Sequence, residues 1–141
     1  MSQIPGRVVA LDPGERRIGI AISDSSRTMA LVRPALSVTD RVVDDLVQLI
    51  DDECATCVVV GLPKALSGSE GSSAQKARVL AGALTDRLGP SSIEVVLHDE
   101  RLTTVQASQT MRAAGKDSRA QRSSIDSAAA AILLEAWLQC Q

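Results

Sequence analysis

Apolar residues in this chain come in short runs set apart by turn residues, and their spacing changes from strand-like to helix-like along its length. Arg7-Val-Val-Ala-Leu11 is a continuous apolar run that reads as a buried strand, ended by the turn pair Pro13-Gly14 with Asp12 at its tip. Arg17-Ile-Gly-Ile-Ala-Ile22 predicts a second strand returning antiparallel, with Gly19 permitting close backbone approach. Met29 to Val38 predicts a third, interrupted by Pro34. Three strands in succession make a meander.

Helical spacing begins after Thr39 or Asp40, either of which can cap a helix. Val42, Val43, Leu46, Leu49 and Ile50 form its inner stripe, and Asp44, Asp45, Asp51 and Asp52 point mostly outward. Val58-Val-Val-Gly-Leu62 is a further strand. A glycine-rich loop follows, then a helix from Ser72, which forms a capping box with Gln75, to about Leu88, stopped by Gly89-Pro90. Ile93 to Leu97 predicts the fifth strand. Thr103 and Gln106 predict a capping box for a helix running to Gly115, and the basic stretch Lys116 to Arg122 connects it to a last helix. A meander followed by alternating strands and helices predicts an α/β fold with a mixed five-stranded sheet flanked by helices. No repeat or linker divides residues 1–141, so one domain is expected.

Composition narrows the packing. Among 141 residues there is no Phe, no Tyr and one Trp, so the core must be built from Val, Leu, Ile and Ala, and binding of single strands by aromatic stacking is disfavoured. No targeting leader and no apolar run near the ~20 residues that span a bilayer is evident, which predicts a soluble cytoplasmic protein with no membrane partner. Net charge is −2, but unevenly spread. Asp40 to Glu53 holds six acids and one Arg, whereas Arg101 to Arg122 holds five basic residues and one Asp. One face can therefore meet phosphates while another repels them. Cys54-Ala-Thr-Cys57 closes a helix and enters a strand, the reverse of a redox motif that opens a helix, and a zinc site would have only His98 and Cys140 to add. Reduced structural cysteines are expected.

Three acids stand at the ends of apolar segments: Asp12, Glu100 and Asp126. Carboxylates that converge can hold Mg²⁺ or Mn²⁺ for phosphodiester cleavage, where paired ions lie about 4 Å apart. Asp126 shares a helical face with Ala129, Ala130, Leu133, Leu134, Trp137 and Leu138, so it points toward the body of the protein; alternatively Ser123 caps that helix and Asp126 serves its N-terminal dipole. Asp12 could equally shape a turn with Pro13. Strand alternation does not choose between Asp99 and Glu100. The loop from Gly61 to Gly71 lacks the Gly-Lys-Ser/Thr ending of a P-loop, although Lys64 and the amides of the following helix could hold a phosphate. Arg16, Arg17, Arg101, Arg112, Lys116, Arg119 and Arg122 read first as solvated charge and second as contacts to a nucleic-acid backbone.

Taken together these segments are recognisable. Asp12-Pro-Gly-Glu-Arg-Arg-Ile-Gly-Ile-Ala-Ile-Ser-Asp24 resembles the first motif of the YqgF family. Gly61-Leu-Pro with Leu66-Ser-Gly-Ser-Glu-Gly71 resembles the second and Asp99-Glu-Arg-Leu-Thr-Thr104 the third. Ile125-Asp-Ser-Ala-Ala with Ile132-Leu-Leu and Trp137-Leu138 resembles the last. Four motifs in order cover essentially the whole chain.

The resemblance implies an RNase H-like fold and a nuclease that processes the 5′ end of pre-16S ribosomal RNA in ribosome biogenesis, related to the RuvX-type and RuvC-like Holliday-junction resolvases of DNA recombination and repair. It implies Asp12, Glu100 and Asp126 as catalytic carboxylates around Mg²⁺ or Mn²⁺, and the choice of Glu100 over Asp99 rests on it alone. Its implied partners are structured RNA or branched DNA, and symmetric resolution of a junction would require a homodimer. The chain departs from the family at Arg122-Ser-Ser, where relatives are often more basic. Two other classes remain: a catalytically silent nucleic-acid-binding module, disfavoured by the presence of all three acids, and an actin-like ATPase domain, disfavoured because its site needs two such domains.

Overall fold

The computed structural model describes residues 6–63, 71–99 and 118–141, the side chains of 118–126 excepted. Along them run β1 (Arg7–Pro13), β2 (Arg17–Ser23), β3 (Ala30–Ser37), α1 (Val42–Asp52), β4 (Ala55–Leu62), α2 (Ser72–Leu88), β5 (Glu94–Asp99) and α3 (Ser118–Gln139). The strands form one sheet in the order β3-β2-β1-β4-β5. Pairing is antiparallel through β1, β2 and β3 and parallel through β1, β4 and β5. This is the mixed five-stranded sheet that the apolar pattern predicts. The helix expected from Thr103 to Gly115, with its capping box, lies outside the described residues.

Both faces of the central strands are covered, which is why their sequences are apolar runs and not alternations. Val9, Leu11, Ile18, Ile20, Ile22, Val58 and Val60 pack with Leu46 and Ile50 of α1 and with Ala77, Leu80 and Leu84 of α2. On the other face Val8, Ala10, Ala21, Cys57 and Val59 meet Ala130, Leu133, Leu134 and Trp137 of α3. Each fully buried branched side chain contributes roughly 1.5–3 kcal/mol, so a core without Phe or Tyr is built from many such increments. No helix among the described residues is long and apolar enough to cross a membrane.

Pro34 does not interrupt the third strand; it makes a bulge in it. Ile18 pairs with Leu36 and Ile20 with Arg33, so β3 spends one residue more than β2 over this step. An edge strand tolerates this, because a residue lacking an N–H costs no ladder bond there. The bulge is stitched from the far side of the sheet. The Ser127 hydroxyl of α3 donates to the Arg33 carbonyl and accepts the Ile20 N–H at 3.4 Å. Beyond β2, the Asp24 carboxylate closes the turn by accepting Thr28 Oγ1 at 2.6 Å, Thr28 N at 2.7 Å and Met29 N at 2.9 Å. The Thr28 hydroxyl is the foremost cause that holds its pKa down at about 2.

Helix ends depart from the expected caps. Arg41, not Thr39 or Asp40, precedes α1, and the Thr39 hydroxyl instead accepts the Arg41 N–H at 3.1 Å in the turn before it. The Ser72–Gln75 capping box is not formed: Gly71 occupies the cap position and its carbonyl takes the Gln75 N–H, so Ser72 already lies in the first turn. Gly89 stays right-handed and starts a short 3₁₀ turn, and Ser92, at φ 59°, makes the left-handed exit. The basic connector is also shorter than expected, since residues 118–122 belong to α3 and Ser123 sits inside it. Arg, Ala and Gln are good helix formers, and without Gly or Pro nothing stops the helix from extending upstream.

Cys54, Cys57 and Cys140 are all free thiols. Cys57 is 3% exposed in β4, and burial first, with the Glu94 carboxylate second, pushes its pKa up to about 11.

Two outcomes follow from these contacts. Ser127→Ala removes the bridge across the bulge and should lower stability by about 1–3 kcal/mol, read as a shifted urea midpoint at constant m-value. At pH 8 the Cys57 thiolate fraction is about one in a thousand, so Cys54 and Cys140 should alkylate in the native protein while Cys57 stays unmodified until pH approaches 11. Equal labelling of all three at pH 8 would contradict the buried assignment.

Candidate active site at the carboxyl ends of the central strands

Alternation along β1 decides where Asp12 points. Val9 and Leu11 belong to the α1–α2 side, Val8 and Ala10 to the α3 side, so Asp12 continues the α3 side. It is half-buried. Its partner across the antiparallel pair is Gly19. Leu11 pairs with Val60 in the parallel direction, so the same register sets Asp12 beside Gly61. The carboxylate thus stands between two strands whose neighbouring residues have no side chain. Gly61 pairs in turn with His98, and the row Gly19, Asp12, Gly61, His98 crosses four strands on one face.

The hairpin between β1 and β2 adds basic groups. The Gly14 N–H donates to the Arg17 carbonyl at 2.9 Å. A Cβ on Gly14 would lie 2.7 Å from that oxygen, so the tight turn requires glycine. Alternation in β2 puts Arg17, half-buried, on the same face as Gly19 and Ala21, two residues from the position opposite Asp12. Arg16 is exposed in the turn itself, its carbonyl accepting the Val38 N–H at 2.8 Å.

Helix α3 reaches this place because it lies close on the sheet. Ala130 packs against the face formed by Val8, Ala10 and Ala21, small residues that allow a short helix–sheet distance. One turn earlier Ser127 grips Ile20, the neighbour of Gly19. Backbone position 126 therefore lies beside the strand pair that carries Asp12. Positions 119, 122 and 126 repeat at three and four residues and lead into buried Ala130, Leu133, Leu134 and Trp137. The side chains of Arg119, Arg122 and Asp126 lie outside the described residues, as do Lys64, Glu100, Arg101, Arg112 and Lys116 entirely. Among the described residues no group of three His, Cys, Asp or Glu side chains is close enough to hold a metal.

Of the two acids at the end of β5, Asp99 is described. Asp99 pairs with Leu62 and shares the parity of Val95, which packs on the α1–α2 side, so it faces away from Asp12. Ser127 was missed by the sequence reading, because a serine after a candidate ligand carries no signal until the bulge opposite it is known. By sequence His98 is only a candidate partner for the cysteines; in the fold it stands in the row with Asp12.

Residues 6–140 match the RuvX family, described as Holliday junction resolvase. A relative from Mycobacterium sp. (strain KMS), named "Putative pre-16S rRNA nuclease", is 41% identical over 137 residues, covering 94% of this chain and 79% of its own. One of the same name from Streptomyces avermitilis is 41% identical over 140 residues, covering 96% and 87%. Among solved structures, T. thermophilus RuvC in complex with a Holliday junction substrate superposes with a TM-score of 0.60 at 15% identity, over 95% of this chain and 96% of that one. The yeast mitochondrial Holliday junction resolvase Ydc2 superposes with a TM-score of 0.56 at 11% identity, over 96% and 78%. At such identities the structural likeness speaks for the fold, which is RNase H-like. With a match running from residue 6 to residue 140, the chain belongs to the RuvX family.

Proposed function

We propose that this chain is a divalent-metal-dependent endonuclease of the cytoplasm that cuts phosphodiesters in structured nucleic acid, its substrate being the 5′ end of pre-16S ribosomal RNA. The observation that carries this reading is the half-buried Asp12 carboxylate at the carboxyl end of β1, flanked by Gly19 and Gly61, with the start of the α3 contact pinned next to it. A hard oxygen donor in a space that its neighbours leave open fits Mg²⁺ or Mn²⁺. Glu100 and Asp126 complete the ligand set in this proposal. The opposite facing of Asp99 counts against that residue as a ligand and leaves Glu100, the acid that the family motif singles out.

When bound, divalent ions would activate water and stabilise charge on the phosphate. The chain's own residues do the rest. Asp12, Glu100 and Asp126 fix where the metal sits, and Arg17 and Arg16 approach the same end of the sheet, where they can neutralise the strand being cut. Arg112, Lys116, Arg119 and Arg122, with Lys64 and Arg101, supply further phosphate contacts. Base stacking has no part, since the sole aromatic side chain, Trp137, is 8% exposed beneath the Arg27 guanidinium, whose centre lies 5.9 Å from the ring centroid. Recognition by backbone shape favours duplex or branched substrates.

A second reading, resolution of Holliday junctions, is favoured by the description of the RuvX family. It requires two sites facing opposite strands and therefore a homodimer. Sedimentation with junction DNA separates the two: a stable dimer that nicks junctions in symmetric pairs and spares the RNA precursor would replace the first reading with the second.

Asp12→Asn, Glu100→Gln and Asp126→Asn should each reduce Mg²⁺-dependent cleavage of a pre-16S precursor by more than about a hundredfold, exceeding the ~10–100-fold effect of losing an outer-shell partner. Duplex binding and the folded circular-dichroism spectrum should persist. Asp99→Asn should be milder. Normal turnover in any of the first three would reject that residue as a ligand, and a wild-type protein that binds but never cleaves would mark a silent module.

Salt dependence tests the basic residues. Each phosphate contact adds a slope of about −0.9 to log K against log salt, so changing Arg112 and Lys116 together to Gln should flatten the slope by about 1.8 units. An unchanged slope would leave them as solvated charge.

A further inference from the structure

His98, the single histidine of the chain, stands in the row that contains Asp12. Two strand spacings separate their backbones, roughly 10 Å, and the residue between them is Gly61. Val96, two residues earlier on β5, packs with the α3-side cluster, so alternation turns His98 to that side as well. The imidazole is half-buried. Among the described residues no hydrogen bond or ion pair holds it, and α3 packs mainly on β1, β2 and β3. A carboxylate and an imidazole therefore stand on one face of the sheet, on either side of a residue with no side chain.

We propose that His98 supplies a nitrogen ligand to the cation held at Asp12 and so favours Mn²⁺ over Mg²⁺ at this site. The inference rests on the metal-dependent reading above and adds to it a residue beyond the three carboxylates. Magnesium binds oxygen donors and keeps its waters, whereas imidazole is a better donor to a transition ion. Replacing a water by His98 thus raises affinity for Mn²⁺ more than for Mg²⁺. Gly61 has a role in the same arrangement, because a side chain there would stand between the two ligands.

A single histidine makes the test direct. In the wild-type protein, substoichiometric Mn²⁺ should selectively broaden the two carbon-bound imidazole proton signals, and Asp12→Asn should abolish that broadening. His98→Ala and His98→Gln, checked for fold by circular dichroism, should weaken Mn²⁺ binding measured by electron paramagnetic resonance by about tenfold or more. Mg²⁺ affinity from competition should change by less than about threefold. Asp12-dependent Mn²⁺ binding that leaves the imidazole signals sharp overturns the role of His98 while sparing the metal site. Broadening with Mn²⁺ affinity unchanged in both variants likewise overturns ligation. Mn²⁺ binding that is absent, or that survives Asp12→Asn undiminished, overturns the metal site itself and this inference with it.

Discussion

The arrangement depends on how near α3 can come to the sheet. Ala10, Ala21 and Ala130 are all buried where the helix crosses β1 and β2, and small side chains let the two layers approach. The Ser127 hydroxyl then bonds both strands of the β2–β3 step, to Ile20 and to Arg33. Van der Waals packing sets the distance between helix and sheet, but slides easily along the axis; a hydrogen-bonded hydroxyl fixes the axial position. Since position 126 precedes Ser127 and Gly19 precedes Ile20, that one residue ties the start of the α3 contact to the strand pair carrying Asp12.

The sheet also separates unlike charges. The acids of α1 lie on the side opposite Asp12 and Arg17, with Asp44 held by Arg87 of α2 at 2.7 Å, and Glu53, just past the helix, is held by Arg7 at 2.8 Å. The Debye length is about 8 Å at physiological ionic strength. Sheet and helix together are thicker than that, so α1 exerts little repulsion on a polyanion approaching the other face. A net charge of −2 is therefore compatible with nucleic-acid binding. Exposed ion pairs such as Arg87–Asp44 add little stability; their effect here is to neutralise acids locally.

An RNase H-like sheet with β1 at its centre offers a site only where strands end, because farther down both faces are closed by helices. Val8, Val9, Ala10 and Leu11 are wholly buried, and Asp12 is the first residue of β1 beyond that seal. The hairpin, held by Gly14 against the Arg17 carbonyl, turns back at once and brings Arg17 to the same end. A strand one residue longer in its apolar part would bury the carboxylate, where an unpaired charge is strongly disfavoured.

The strands, their meander-then-parallel order and the two main helices were legible because burial on both faces writes continuous apolar runs, and burial on one face writes helical spacing. Asp12 was legible as the polar end of such a run. Helix caps were not: at Ser72 and Thr39 several polar residues could satisfy the first amides, and the choice depends on backbone torsions that a composition pattern does not carry. The bulge at Pro34 shows only once β3 is paired with β2, and the grip of Ser127 was invisible, since its partners lie 94 and 107 residues away. So was the pairing of Gly61 with His98. By itself the sequence determined which segments are buried and which residues end them, as local periodicity records solvent exposure. Only the tertiary structure decided that His98 shares a face with Asp12 and that Asp99 does not, because strand parity has no absolute sense until neighbouring strands lock its register.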